Sequence, residues 1–164
     1  MFDEKDKTIV FIGSDHAGYE AKAALKPFIE SLGFAVTDLG AFDANPIDYP
    51  DVAREVSEKV IEHAAENAKG ILICGTGIGM SMAANRLKGV RAVLATDENL
   101  AYMSRQHNDA NVLTMGARTT NVDVMKKITE KFLTTPFENA ERHVRRVEKM
   151  DEIANASTNE GASC

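Results

Sequence analysis

The chain has 164 residues, of which 44% are hydrophobic and 27% charged, a balance that suits one well-packed domain and excludes a disordered chain. Its formal charge of −6 argues against nucleic acid as a partner, since such surfaces are densely basic. An anionic ligand would therefore need positive charge gathered locally. Two cysteines, Cys74 and Cys164, make no disulfide framework, and Cys164 ends a Ser/Asn/Gly tail with no evident role. The first seven residues are largely charged, and the apolar run 9–12 is too short for a leader or a membrane span. A cytoplasmic protein bound to neither membrane nor nucleic acid is expected.

Short apolar runs alternate with helical periodicity along the chain. Residues 8–13 read as a buried strand rich in β-branched residues. A helix carrying Leu25, Phe28, Ile29 and Leu32 follows, kinked or restarted at Pro27 and closed by Gly33. Residues 35–39 form a second strand, and 51–66 a helix with Val52, Val56 and Val60 on one face. Residues 71–74 are a third strand, followed by a glycine-rich turn and a short helix through Asn85. Residues 91–95 are a fourth strand, after which Thr96 or Asp97 caps a helix ending near His107. Residues 112–115 are a fifth strand. Asn121 caps a helix to about Leu133, and a last helix runs from Glu138 to about Asn155. Strands alternating with helices imply a doubly wound, three-layer α/β/α domain with a five-stranded parallel sheet and an extra C-terminal helix. It spans residues 1–155, with 156–164 as a flexible tail.

Ligands of such sheets collect at the carboxyl ends of the strands. Ser14, Asp15 and His16 follow the first strand, residues 74–79 the third, and Gly116, Ala117 and Arg118 the fifth. The third strand ends in Cys74-Gly75-Thr76-Gly77-Ile78-Gly79 and runs into a helix. Its glycines let successive N–H groups turn into one concavity, and the helix start adds its positive end, so the loop should hold an anion. The same field makes Cys74 a plausible thiolate base. Met80 stands where a dinucleotide fingerprint wants its last small residue and where a cysteine phosphatase wants arginine. The Lys-Ser/Thr of a nucleotide-triphosphate loop is missing as well. No ligand spacing suggests a metal, and no cofactor is expected. A thiol facing an anion hole suits proton abstraction beside a carbonyl, with amides holding the enediolate.

Five segments in order, Ser14-Asp15-His16-Ala17-Gly18, Asp48-Tyr49-Pro50, the run from Ile73 to Gly79, Ser104-Arg105-Gln106-His107-Asn108-Asp109 and Arg142-His143, resemble the type B ribose-5-phosphate isomerases and their relatives over about residues 8–150. The resemblance implies reversible isomerisation of ribose 5-phosphate and ribulose 5-phosphate, with Cys74 as the proton-transfer base. It implies that Thr76 and the amides of Gly75, Gly77, Ile78 and Gly79 steady the enediolate. His107, helped by Asp15, would open the furanose ring, Asn108 would bind sugar oxygens, and Tyr49 would line the pocket. His16, Arg118, Arg142 and Arg146 would grip the phosphate. One branch of the family uses a glutamate at the place of Met80, so Cys74 has no evident rival here.

Arg142 and Arg146 share a helix face, as a phosphate clamp requires, although Glu138 could pair with Arg142 instead. A homodimer or a dimer of dimers with shared sites is expected, with Cys74, His107 and Arg118 from one chain and Arg142 and Arg146 from the other. Two alternatives stay open. The substrate could be a six-carbon phosphate such as galactose 6-phosphate or allose 6-phosphate, or the chain could be a non-catalytic sugar-phosphate-binding subunit.

Overall fold

In the computed structural model, which describes residues 7–159, the five apolar runs become strands β1 (Ile9–Ser14), β2 (Ala35–Asp38), β3 (Lys69–Cys74), β4 (Ala92–Leu94) and β5 (Val112–Gly116). All pair in parallel, in the order β2-β1-β3-β5-β4. Every residue of β3 and β5 is buried, as continuous apolar strands between two helical layers should be.

The helices are α1 (Tyr19–Ser31), α2 (Tyr49–Glu62), α3 (Ile78–Ala84), α4 (Glu98–Asn108), α5 (Val122–Thr134) and α6 (Glu141–Asn159). Leu25 and Ile29 of α1, Ala101 of α4, and Met125, Ile128 and Phe132 of α5 pack on one face of the sheet. Val52, Val56 and Val60 of α2, with Met80 and Ala84 of α3, pack on the other. The expected three-layer Rossmann-like architecture is the observed one. Asp97 caps α4 by accepting from the Leu100 amide at 2.9 Å, and Asn121 caps α5 by accepting from Val124 at 3.0 Å.

Three boundaries differ from expectation. Helix α1 runs through Pro27 without a restart; Pro27 and Ala23 are both exposed, so water can take the carbonyl that proline leaves unbonded. Helix α2 begins at Tyr49 and ends at Glu62, followed by a separate 3₁₀ turn, Ala64–Glu66. Helix α6 starts at Glu141 rather than Glu138, because Asn139 takes a left-handed φ of 56° and the Glu138 amide donates instead to the Gln106 carbonyl at 3.1 Å. It continues past Asn155 to Asn159. Cys164 lies outside the described residues.

The strand order places the site. From β1 the chain turns through α1 on one face, and from β3 through α3 on the other. After β5 it returns to the α1 face. Winding therefore diverges on both sides of β3, and sheets of this kind take their ligands at that carboxyl end, where Cys74 stands.

At the opposite end of β3, Lys69 is 6% exposed and donates to the Asn67 carbonyl at 2.9 Å and side-chain oxygen at 2.5 Å. Burial, and after it the nearby Arg105, lowers its pKa to about 8. Below that pH the fold holds a penalised ammonium, whereas the unfolded chain keeps its proton to about pH 10.4. Stability should therefore rise between about pH 8 and pH 10. Lys69→Met is expected to gain about 1–2 kcal/mol near pH 7, an advantage that shrinks across this window in urea titrations.

Candidate active site

Cys74 ends β3 with 5% of its surface exposed, and its Sγ accepts the Gly77 amide at 3.1 Å. Gly77 adopts a positive φ of 78° and caps α3. A Cβ there would lie 2.6 Å from Leu94 and 2.8 Å from the Met115 backbone, so only glycine lets the loop press this closely on β4 and β5. The Thr114 hydroxyl fixes the same turn by donating to the Gly77 carbonyl at 3.0 Å. Thr76 Oγ1 accepts from the Ile78 amide at 3.3 Å. Gly79 leaves room for the Tyr49 ring, which an added Cβ would meet at 2.7 Å.

The loops after β1 and β5 close in on this turn. The Asp15 amide donates to the Ile73 carbonyl at 3.1 Å, and Asp15 Oδ1 accepts from Ala17 and Gly18 at 2.9 and 3.1 Å. Beside it Ser14 Oγ is buried and makes no hydrogen bond among the described residues. His16 is exposed, with Nδ1 accepting from the Ile47 amide at 3.4 Å. From the β5 side, Ala117 and Arg118 amides donate to the Cys74 and Gly75 carbonyls at 2.8 and 2.9 Å. The Arg118 guanidinium rests against Gly75, its Nη1 3.1 Å from where a Cβ would stand. Arg118 forms no ion pair among the described residues. A thiol, backbone N–H groups and a guanidinium thus meet at one end of the sheet.

His107 and Asn108 do not join them. They are the last residues of α4, which leaves the carboxyl edge after β4 and runs back against the strands for about 16 Å. Its end is tied to the amino edge: Asp109 O accepts Arg91 Nε at 3.0 Å, and Asn111 O accepts the Gly70 amide of β3 at 2.9 Å. The expectation that His107 and Cys74 share one chain's site is therefore corrected, because a crossover helix must end on the opposite edge from where it began.

His107 has other company. Its ring stacks on His143 of α6 at 4.6 Å between centroids and 16° between planes. His143 Nε2 lies 3.0 Å from Glu138 Oε2. Its pKa is lowered, by desolvation first and then by Arg142. Arg142 and Glu138 lie 3.4 Å apart on exposed side chains, a pairing worth about 0.3–0.5 kcal/mol. Arg146, one turn on, is exposed and without an ion pair among the described residues. Val147 is buried and Asp151 reaches Arg91 at 3.3 Å, so α6 docks beside α4 of its own chain.

The family model for ribose/galactose isomerase matches residues 10–150. The chain belongs to that family. With it, the chain is an aldose–ketose isomerase. It is 40% identical over 147 residues to ribose-5-phosphate isomerase B of Escherichia coli, covering 90% of this chain and 96% of that one. It is 44% identical over 143 residues to the probable ribose-5-phosphate isomerase B of Mycoplasma genitalium, covering 86% and 92%. Among solved structures, the Trypanosoma cruzi type B ribose 5-phosphate isomerase superimposes with a TM-score of 0.88 at 42% identity, covering 92% of this chain and 99% of that one. The Clostridium thermocellum ribose-5-phosphate isomerase B gives 0.87 at 39%, with the same coverage.

In this ribose/galactose isomerase, Asp15, His16, Tyr49, the 74–79 loop and Arg118 gather at one edge, while His107, Asn108, Arg142 and Arg146 stand elsewhere. Met80, where the glutamate of the other branch would be, is fully buried in the core. The sequence offers Glu138 only as a partner of Arg142 and His143 only within the Arg142-His143 segment. Their signal was the Arg142-His143 pair itself, but only the fold reveals that His143 faces His107. Among the described residues no helix is long and apolar enough to cross a membrane.

Proposed function

We propose that the chain interconverts ribose 5-phosphate and ribulose 5-phosphate through an enediolate, in the cytosol and as a homodimer or an assembly of dimers with composite sites. The observation that carries this reading is the Gly77 amide aimed at Cys74 Sγ within a glycine turn at the divergence of the sheet. Cys74 takes the proton from the carbon beside the aldehyde and returns it to the aldehyde carbon, while the hydroxyl proton of the first passes to the aldehyde oxygen. The charge that develops on the two oxygens meets amides of the 75–79 loop and Thr76. Tyr49 walls the sugar, and His16 and Arg118 take part of the phosphate. Asp15, with one oxygen already bound to backbone amides, holds the loop and offers its other oxygen to the sugar.

A furanose must open before a carbonyl exists. His107, with Asn108, serves that step from the partner subunit, alongside the partner's Arg142 and Arg146 on the phosphate. Two features support a second copy. The thiol lies outside a cavity of about 710 Å³ that runs between the 85–93 segment and α6. Apolar side chains stand exposed near both clusters, Ile78 and Met82 on α3, Met103 on α4, and Met150 and Ile153 on α6. An acidic protein that binds a dianion gains focused positive charge from such a partner.

A coupled assay of purified protein on five- and six-carbon aldose phosphates tests the substrate, and turnover confined to the six-carbon compounds would overturn the ribose reading. His107→Ala is expected to impair ribose 5-phosphate turnover far more than that of a four-carbon aldose 4-phosphate, which cannot form a furanose. Equal loss on both would remove the ring-opening role. Because a thiol and backbone amides complete the proton transfer, EDTA should leave the rate unchanged; a loss restored by divalent ion would contradict the mechanism.

A further inference from the structure

His107, Glu138 and His143 each bring a ligand atom to one spot, all within 4.8 Å of one another. They come from three places, the end of α4, the turn before α6 and its first turn, and the fold assembles them. The His143 residue is 6% exposed. Its Nε2 makes no hydrogen bond among the described residues, although Glu138 Oε2 lies only 3.0 Å away. The carboxylate therefore stands beside the nitrogen but off the line of its N–H, where it cannot act as an acceptor. A buried imidazole nitrogen held next to a carboxylate without a shared proton is a poor hydrogen-bond pair. It is a good start for two ligands of one cation. Two imidazoles and a carboxylate form a borderline donor set that zinc and its neighbours prefer over calcium or magnesium.

We propose that these three side chains bind one divalent transition-metal ion of the zinc class, and that the bound ion takes His107 out of ring opening. The metal needs ligand atoms about 3.3 Å apart, the edge of a tetrahedron with bonds of 2.0–2.1 Å. Closing from 4.8 Å asks only for rotation of the His107 and Glu138 side chains, both less buried than His143. Arg142 also faces Glu138 at 3.4 Å, but it is exposed, and a pair of that kind yields readily. A water or a substrate oxygen would complete the coordination. The site is separate from the Cys74 turn of its own chain, and the regulatory consequence rests on the ring-opening role proposed for His107.

Binding is measured first, by calorimetry with zinc chloride on a protein carrying Cys74→Ser and Cys164→Ser, which removes competing thiols. One ion per chain with micromolar affinity is expected. Glu138→Gln and His143→Gln, each added singly, should weaken it at least tenfold. No binding, or binding that neither substitution alters, overturns the site; two independent variants guard against one that folds poorly, and circular dichroism reports folding. Inhibition is then measured on the parent protein. Zinc should suppress turnover of ribose 5-phosphate and spare the four-carbon aldose 4-phosphate, with EDTA restoring the rate. Suppression of ribose 5-phosphate turnover that His143→Gln does not relieve, or no suppression, overturns the control of ring opening even where binding is found. Absence of any isomerase activity would instead strike the proposed function and leave the calorimetric result standing.

Discussion

Cys74→Ala is expected to abolish isomerisation while leaving substrate binding within a few-fold of the parent. Loss of a general base slows a reaction by about 10²–10⁴, and Met80, buried in the core, occupies the place of the glutamate that could have substituted. The substitution removes one small buried atom at a strand end, so the fold should survive it. The amide of Gly77 loses its acceptor, a cost of about 1–3 kcal/mol for a buried donor. Stopped-flow proton exchange at the sugar carbon in deuterated water gives the sharpest readout, because it reports the abstraction itself. Exchange within threefold of the parent rate would remove Cys74 from the mechanism.

The carboxyl-edge half of this site was legible because its residues are local in sequence. The 74–79 loop, its glycines and the strand before it can be read from one short stretch, and turn chemistry leaves few conformations for it. The sheet's parallel, doubly wound character was legible for a similar reason, as alternating elements allow only right-handed crossovers. The order of strands was not. That β5 inserts between β3 and β4 depends on long-range pairing, which no periodicity encodes. The direction of α4 follows from any βαβ crossover and could have been applied to His107 before the fold was in hand. The five motifs mark the residues of one family site but not which of them a single chain holds together, and His107 stands on the other edge of the sheet from Cys74. His143 shows the remaining gap: its partners, His107 and Glu138, lie on other segments, and burial beside them is a product of α6 docking.

Mixing two inactive proteins tests the composite site most severely. Cys74→Ala and His107→Ala should each be nearly dead on ribose 5-phosphate. After subunit exchange, half of the dimers are mixed. If each site draws Cys74 from one chain and His107 from the other, every mixed dimer carries one doubly defective site and one intact site. Activity should return to roughly a quarter of the parental value for a random twofold assembly. Were both residues supplied by the same chain, no intact site could form and the mixture would stay dead. The arginines give a second, independent arm. Cys74→Ala mixed with the double variant Arg142→Ala, Arg146→Ala should recover in the same way, because α6 lies with His107 on α4 of its own chain. His107→Ala mixed with that double variant should not recover, since both defects then fall on the same side of every interface. Recovery in this last mixture, with heterodimers verified by native mass spectrometry, would separate the histidine from the arginines and reject the composite site drawn from the geometry of α4.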